Sequence, residues 1–178
     1  MAHHNTRPFD IVLWGATGFV GRLVAEYFAA HYCQGDTRWA LAGRNRAKLE
    51  SLRRDLNEQF SVSGDLPILV GNALDRESLD PIAGQSKVVC TTVGPYAQYG
   101  TPLVEACVAH GTDYCDLTGE VAWVRDIIDR YHEAAQAAGA RLVHCCGFDS
   151  IPSDLGTLMI QERARKEHGQ PCSRVRML

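Results

Sequence analysis

The chain has 178 residues, 46% of them hydrophobic and 22% charged, which is the balance of one globular domain rather than a disordered segment. A formal net charge of −3 carries no basic excess, so nucleic acid is excluded as an expected partner. No apolar run approaches the roughly 20 residues of a membrane span, and no signal peptide opens the sequence; seven cysteines without a CxxC pair read as reduced thiols, so a cytoplasmic protein without a metal is expected.

Met1 to Pro8 reads as a flexible tail, and the metal-capable His3 and His4 lie in it. Ile11 to Trp14 is a short apolar run stopped by Gly15, the pattern of a buried strand. A helix follows from about Gly18, with Val20, Leu23, Val24, Tyr27 and Phe28 as its apolar stripe. Trp39 to Ala42 is a second strand. Asn45 is placed to cap the next helix, whose stripe is Leu49, Leu52, Leu56 and Phe60. Leu66 to Val70, Val88 to Val93, Asp113 to Leu117 and Leu142 to Cys146 are strands three to six. Helices are expected over Glu77 to Ala83, from Thr101-Pro102 to Gly111, over a longer segment carrying Val124, Ile127, Ile128 and Tyr131 that stops at Gly139, and from about Ser153. Ser173 to Leu178 has the look of a further strand.

Strands joined by helical crossovers predict an α/β fold, a Rossmann-type doubly wound parallel sheet of six strands in the order 3-2-1-4-5-6. The domain is expected to run from 9 to 178, with a second, substrate-binding domain expected beyond 178.

The sharpest motif is Gly15-Ala16-Thr17-Gly18-Phe19-Val20-Gly21, set between the first strand and the first helix. Glycines there let a pyrophosphate approach backbone N–H groups, and the helix N-terminus adds free donors and a positive dipole end. After the second strand comes Gly43-Arg44-Asn45-Arg46, with no acidic residue before Glu50. An NAD site places a carboxylate there for the ribose 2′-OH, whereas Arg44 suits the 2′-phosphate of NADP(H), with Arg46 and Lys48 as helpers or solvated neighbours. Asn72 and Ala73, after the third strand, border the adenine pocket of this fold, where Asn72 bonds the base or closes a turn. Thr92, Val93, Gly94, Pro95 and Tyr96 follow the fourth strand at the switch point; Tyr96 and Tyr99 reach the cofactor or pack. Asp113, Asp116 and Glu120 read as caps and strand ends rather than a carboxylate cluster. The Tyr-x-x-x-Lys pair of short-chain dehydrogenases is absent, which weakens an extended short-chain reading.

With these pieces placed, the chain resembles the saccharopine dehydrogenase-like oxidoreductases, above all the trans-acting enoyl reductase branch. The stretches that carry the resemblance are DIVLWGATGFVG, LAGRN, TTVGPYAQYG, ACVAHGTDYCDLTGE and CCGFDSIPSDLG, from Asp10 to Gly156. The resemblance implies an NADP-type cofactor on an N-terminal Rossmann domain, with a second α/β domain closing the crevice, and reduction of an activated C=C bond in a small-molecule or lipid-like substrate. The expectation is thus the NADP(H)-binding domain of a hydride-transferring enzyme, the rival being a non-catalytic NADP(H) sensor; an oligomer is left open. Asp149 and Ser150, in the loop after the last strand, are the candidates for contacting nicotinamide or substrate, against a capping role for the final helix.

Overall fold

The computed structural model describes residues 7–33, 35–62 and 65–176. Strands β1 (Phe9–Trp14), β2 (Trp39–Gly43), β3 (Ile68–Val70), β4 (Ser86–Thr91), β5 (Asp113–Asp116) and β6 (Leu142–Val143) form one parallel sheet in the expected order 3-2-1-4-5-6. The helices are α1 (Phe19–Tyr32), α2 (Arg46–Phe60), α3 (Arg76–Gly84), a single turn α4 (Tyr96–Tyr99), α5 (Thr101–His110), α6 (Val121–Ala138) and α7 (Ile151–His168).

The pleat divides the interior in two. Val12, Trp14, Val89 and Tyr114 share one core with Leu79 of α3, Leu103 of α5 and Ile127 of α6. Leu13 and Leu41 face the other way, under Ala25 and Ala29 of α1 and Leu49, Leu52 and Leu56 of α2. The α2 stripe is therefore as expected, and Asn45 Oδ1 accepts from Lys48 N at 3.0 Å as its cap. Gly139 ends α6 in the left-handed conformation at φ 72°.

The α1 stripe is as expected only in part. Gly21, Ala25 and Ala29 are its buried residues, while Leu23 and Tyr27 are each 53% exposed. The cause is close approach: a Cβ on Gly21 would overlap the Gly15 carbonyl and come within 2.9 Å of Ala16 Cα. A helix lying that near its strand presents small residues at the closest approach; Val24 and Phe28 of the expected stripe are half-buried and pack beside them on this core, while Leu23 and Tyr27 turn outward.

Strand ends also shift, each for a local reason. β3 starts at Ile68 because Pro67 has no N–H to give the ladder, although its carbonyl accepts from Leu41 N at 2.9 Å. β4 ends at Thr91, whose hydroxyl accepts from Val93 N at 3.2 Å and turns the chain. β5 stops one residue early where Asp116 Oδ1 takes Thr118 N at 3.1 Å. β6 has two residues instead of five, because Cys145 N goes to Asp116 Oδ1 at 3.0 Å and Cys145 itself sits at φ 61°.

The expected tail is corrected at its end. Arg7 is buried, donating to Ser86 O, to Thr112 Oγ1 at 2.6 Å and to His110 O, so it is tied under β4 and α5. Residues 1–6, with His3 and His4, lie outside the described residues. Residues 173–176 form no strand, and 177–178 are likewise outside the described residues.

Candidate dinucleotide site

In a parallel sheet every strand delivers its carboxyl end to one edge, and a cleft of about 540 Å³ opens there. Its walls come from four successive turns. Gly15, Thr17 and Gly18 follow β1, Gly43 ends β2 and Arg44 follows it, Asn72 and Ala73 follow β3, and Thr92, Val93 and Gly94 follow β4. Sequence reasoning named these turns for the same reason: β1 and β4 flank the switch point.

Gly15 shapes the floor. Its φ of 90° is left-handed, and a Cβ there would meet Val93 Cγ2 at 2.6 Å and Thr92 Oγ1 at 2.9 Å. Gly15 N and Ala16 N donate to Ala42 O at 2.9 and 3.2 Å, which pins the turn to β2. Ala16 is consequently fully buried, and it serves the core rather than the cleft. Gly18 precedes α1 with no side-chain cap, there is no acidic residue in the first turn, and the first helical bond is Arg22 N to Gly18 O at 2.9 Å. The N–H groups of Phe19, Val20 and Gly21 therefore have no intrahelical acceptor, an arrangement that suits an anion. Their side chains do not line the cleft, and Phe19 is 84% exposed.

Arg44 walls both this cleft and an adjoining hollow of about 520 Å³ that Asn45, Gly71, Asn72 and Ser78 also line. It is exposed and has no acidic partner among the described residues. Arg46, by contrast, pairs with Glu50 at 3.8 Å. Asn72 closes a turn, its Oδ1 accepting from Leu74 N at 3.1 Å, and it also lines the cleft.

Four further expected residues lie outside the lining of the cleft. Tyr96 is buried; its hydroxyl donates to Thr91 O at 3.2 Å and accepts from Leu117 N at 3.4 Å, and burial pushes the phenol up to about 12. It packs, while Tyr99 lines the cleft. Pro95 is the residue before α4 and is not in the lining. Asp149 and Ser150 also lie outside the lining, and Ser150, at the head of α7, makes no side-chain cap bond. Trp14 and Leu74 were missed; both line the cleft. Trp14 ends an otherwise aliphatic run directly before the glycine turn, which was the available signal.

The carboxylates on and after β5 do not cluster in the cleft. Asp116 is buried and accepts from Tyr114 Oη at 2.9 Å, Thr118 N and Cys145 N, and pairs with His144 Nδ1 at 2.7 Å. Glu120 accepts from Tyr96 N at 2.6 Å and Ala97 N at 2.9 Å. Asp113 holds Arg141, whose N donates to Oδ1 at 2.9 Å. All three serve turns and strand ends, as their positions suggested.

Comparison with known proteins agrees with this geometry. The sequence model of the saccharopine dehydrogenase NADP binding domain matches residues 11–143. A trans-acting enoyl reductase of Mycobacterium leprae is 46% identical over 169 residues, 94% of this chain and 39% of that protein. A trans-acting enoyl reductase of Mycobacterium tuberculosis is 47% identical over 158 residues, 89% of this chain and 37% of that protein. The chain thus spans well under half the length of these relatives. Among solved structures, apo saccharopine dehydrogenase (L-Glu forming) from Saccharomyces cerevisiae superposes with a TM-score of 0.70 at 17% identity, covering 88% of this chain and 31% of that one, which is a likeness of fold.

Proposed function

This chain belongs to the saccharopine dehydrogenase NADP binding domain family, and on that premise we propose that its cleft holds NADP(H) for reduction of the C=C bond of an enoyl group in a small or lipid-like substrate. The coarser statement, that it is the NADP(H)-binding domain of an oxidoreductase, follows from the family itself. The bound cofactor supplies the hydride; the protein binds and orients it.

The observation that carries the cofactor reading is Arg44, an exposed guanidinium without an acidic partner among the described residues, on the wall shared by the cleft and the hollow beside it. A planar fork of donors there fits the 2′-phosphate, and the open N-terminus of α1 fits the pyrophosphate. Val93 and Gly94 then border the nicotinamide half. Enoyl reduction is supported by the names of the mycobacterial relatives. In this reading substrate capture falls to a second domain such as their additional length would supply, with Asp149 and Ser150, in the loop beyond β6, as the candidates of this chain to meet that substrate.

Calorimetry with NADPH and NADH tests the reading. A charge-assisted bond is worth about 1.5–3 kcal/mol, so NADPH binds about tenfold more tightly or better, and Arg44→Asp narrows or reverses the preference. Equal affinities for the two cofactors would remove Arg44 from the site.

A further inference from the structure

Among the described residues three buried side-chain polar atoms have no hydrogen-bond partner: Trp14 Nε1, Asn57 Oδ1 and His144 Nε2. Of the three residues, Trp14 alone lines the dinucleotide cleft. It is the last residue of β1, 2% exposed, and it points to the side of the sheet opposite α1, into the core it shares with Tyr96 and Leu79. Ala73, from the turn after β3, packs against that same core and lines the same cleft. Elsewhere the fold satisfies such a group: Trp123 Nε1 donates to Thr101 Oγ1 at 3.0 Å. A buried N–H left without an acceptor carries the full cost of its desolvation, and a site that binds an acceptor-rich ligand is where that cost can be recovered.

We propose that the Trp14 indole N–H is a hydrogen-bond donor to the adenosine half of bound NADP(H), a ligand contact made from beneath the glycine turn. The proposal rests on the cofactor reading given above. The adenosine half is chosen by position. Arg44, suited to the phosphate on the adenosine ribose, follows β2; Asn72 and Ala73 lie in the turn after β3; and Trp14 ends β1, so the strands that surround the adenosine side are β1 to β3. Ribose oxygens and ring nitrogens are all acceptors for an indole, which is a donor only. The aromatic body meanwhile keeps its packing role in the core, so bulk and hydrogen bonding are separable by substitution.

The test follows the indole N–H resonances of ¹⁵N-labelled protein as 2′,5′-ADP, NADP⁺ and nicotinamide mononucleotide are added in separate titrations. The Trp14 resonance is the one lost in Trp14→Phe, or the one left after Trp39→Phe and Trp123→Phe are compared. It moves downfield and saturates with 2′,5′-ADP and with NADP⁺, and stays in place with nicotinamide mononucleotide. Trp14→Phe, which keeps a ring of similar shape, weakens NADPH binding about threefold to tenfold. Glycine-loop amides that shift with 2′,5′-ADP while the Trp14 indole does not would overturn the proposal, as would wild-type affinity in Trp14→Phe. If no resonance of either kind responds to NADP⁺, the cofactor reading fails and the Trp14 contact with it. Should Trp14→Phe precipitate, the wild-type titration decides alone.

Discussion

At the scale of single residues, the cleft is made by what is missing as much as by what is present. Gly15 has no Cβ where one would strike Val93, and Arg44 has no carboxylate beside it among the described residues. The opposite end of the sheet is organised by charge. Asp10, near the start of β1, pairs with Lys87 Nζ at 2.7 Å and accepts from Arg38 N at 2.8 Å. The Lys87 hydrogen bond, with Arg38 adding to it, outweighs desolvation and holds the carboxyl far below its ordinary 3.8. A depressed carboxyl contributes stability that is fully present above its unfolded value and is lost as pH falls through the folded one. The melting temperature should therefore fall steadily as pH drops below about 4, and Asp10→Asn should flatten that slope while leaving NADPH affinity at neutral pH unchanged. Thermal melts of both proteins between pH 2 and 7 check it; parallel slopes would mean the ion pair contributes nothing to folding.

At the scale of elements, α1 is the informative one. Its sequence offers a bulky stripe (Val20, Leu23, Val24, Tyr27, Phe28) and a small face (Gly21, Ala25, Ala29), and hydrophobic spacing favours the bulky one. The structure turns the small face inward, with Val24 and Phe28 packed beside it, because the glycine turn draws the helix against β1. Gly21→Ala should thus destabilise the domain by about 1–3 kcal/mol, a loss of several degrees in Tm, although alanine is the better helix former. A melting temperature equal to or above that of the parent would show that the helix can move away from the strand freely. The strand order, the helix succession and the four turns of the cleft were legible because β–α alternation and glycine placement are local patterns. The α1 face and the short β6 were not, and for Tyr96 the sequence left packing and cofactor contact open. The α1 face turns on the close approach of Gly21 to the Gly15 carbonyl within one motif, which spacing alone does not show, whereas β6 and Tyr96 depend on partners distant in sequence, the Asp116 carboxylate for Cys145 and the Leu117 amide for the Tyr96 hydroxyl. Arg7 was misread for the same reason, since its acceptors lie on residues 86, 110 and 112.

At the scale of the whole molecule, the two faces of the sheet are covered unequally. The core with α3, α5 and α6 takes residues from β1, β2, β4, β5 and β6, whereas the core under α1 and α2 includes no residue of β5 or β6 among those described. α7 buries only Ala164, and Leu155, Leu158 and Met159 on it are exposed. The cleft is likewise bounded by strand-end turns on one side only, with no residue after β5 or β6 in its lining. In the proposed reading, cofactor binding draws on the glycine turn for the phosphates, on Arg44 and on the turns after β2 and β3 for the adenosine half. Hydride transfer needs more, because the acceptor carbon must be held against the nicotinamide and water kept away. The 178-residue chain is therefore expected to bind NADPH but to give no substrate-dependent oxidation with enoyl thioesters, since a one-sided cleft positions one reactant and leaves the other in solvent. Loss of absorbance at 340 nm, followed with and without each thioester at saturating NADPH, measures this directly. Turnover above the background rate by the pure chain would show that everything catalysis requires already lies on these four turns and the loop after β6.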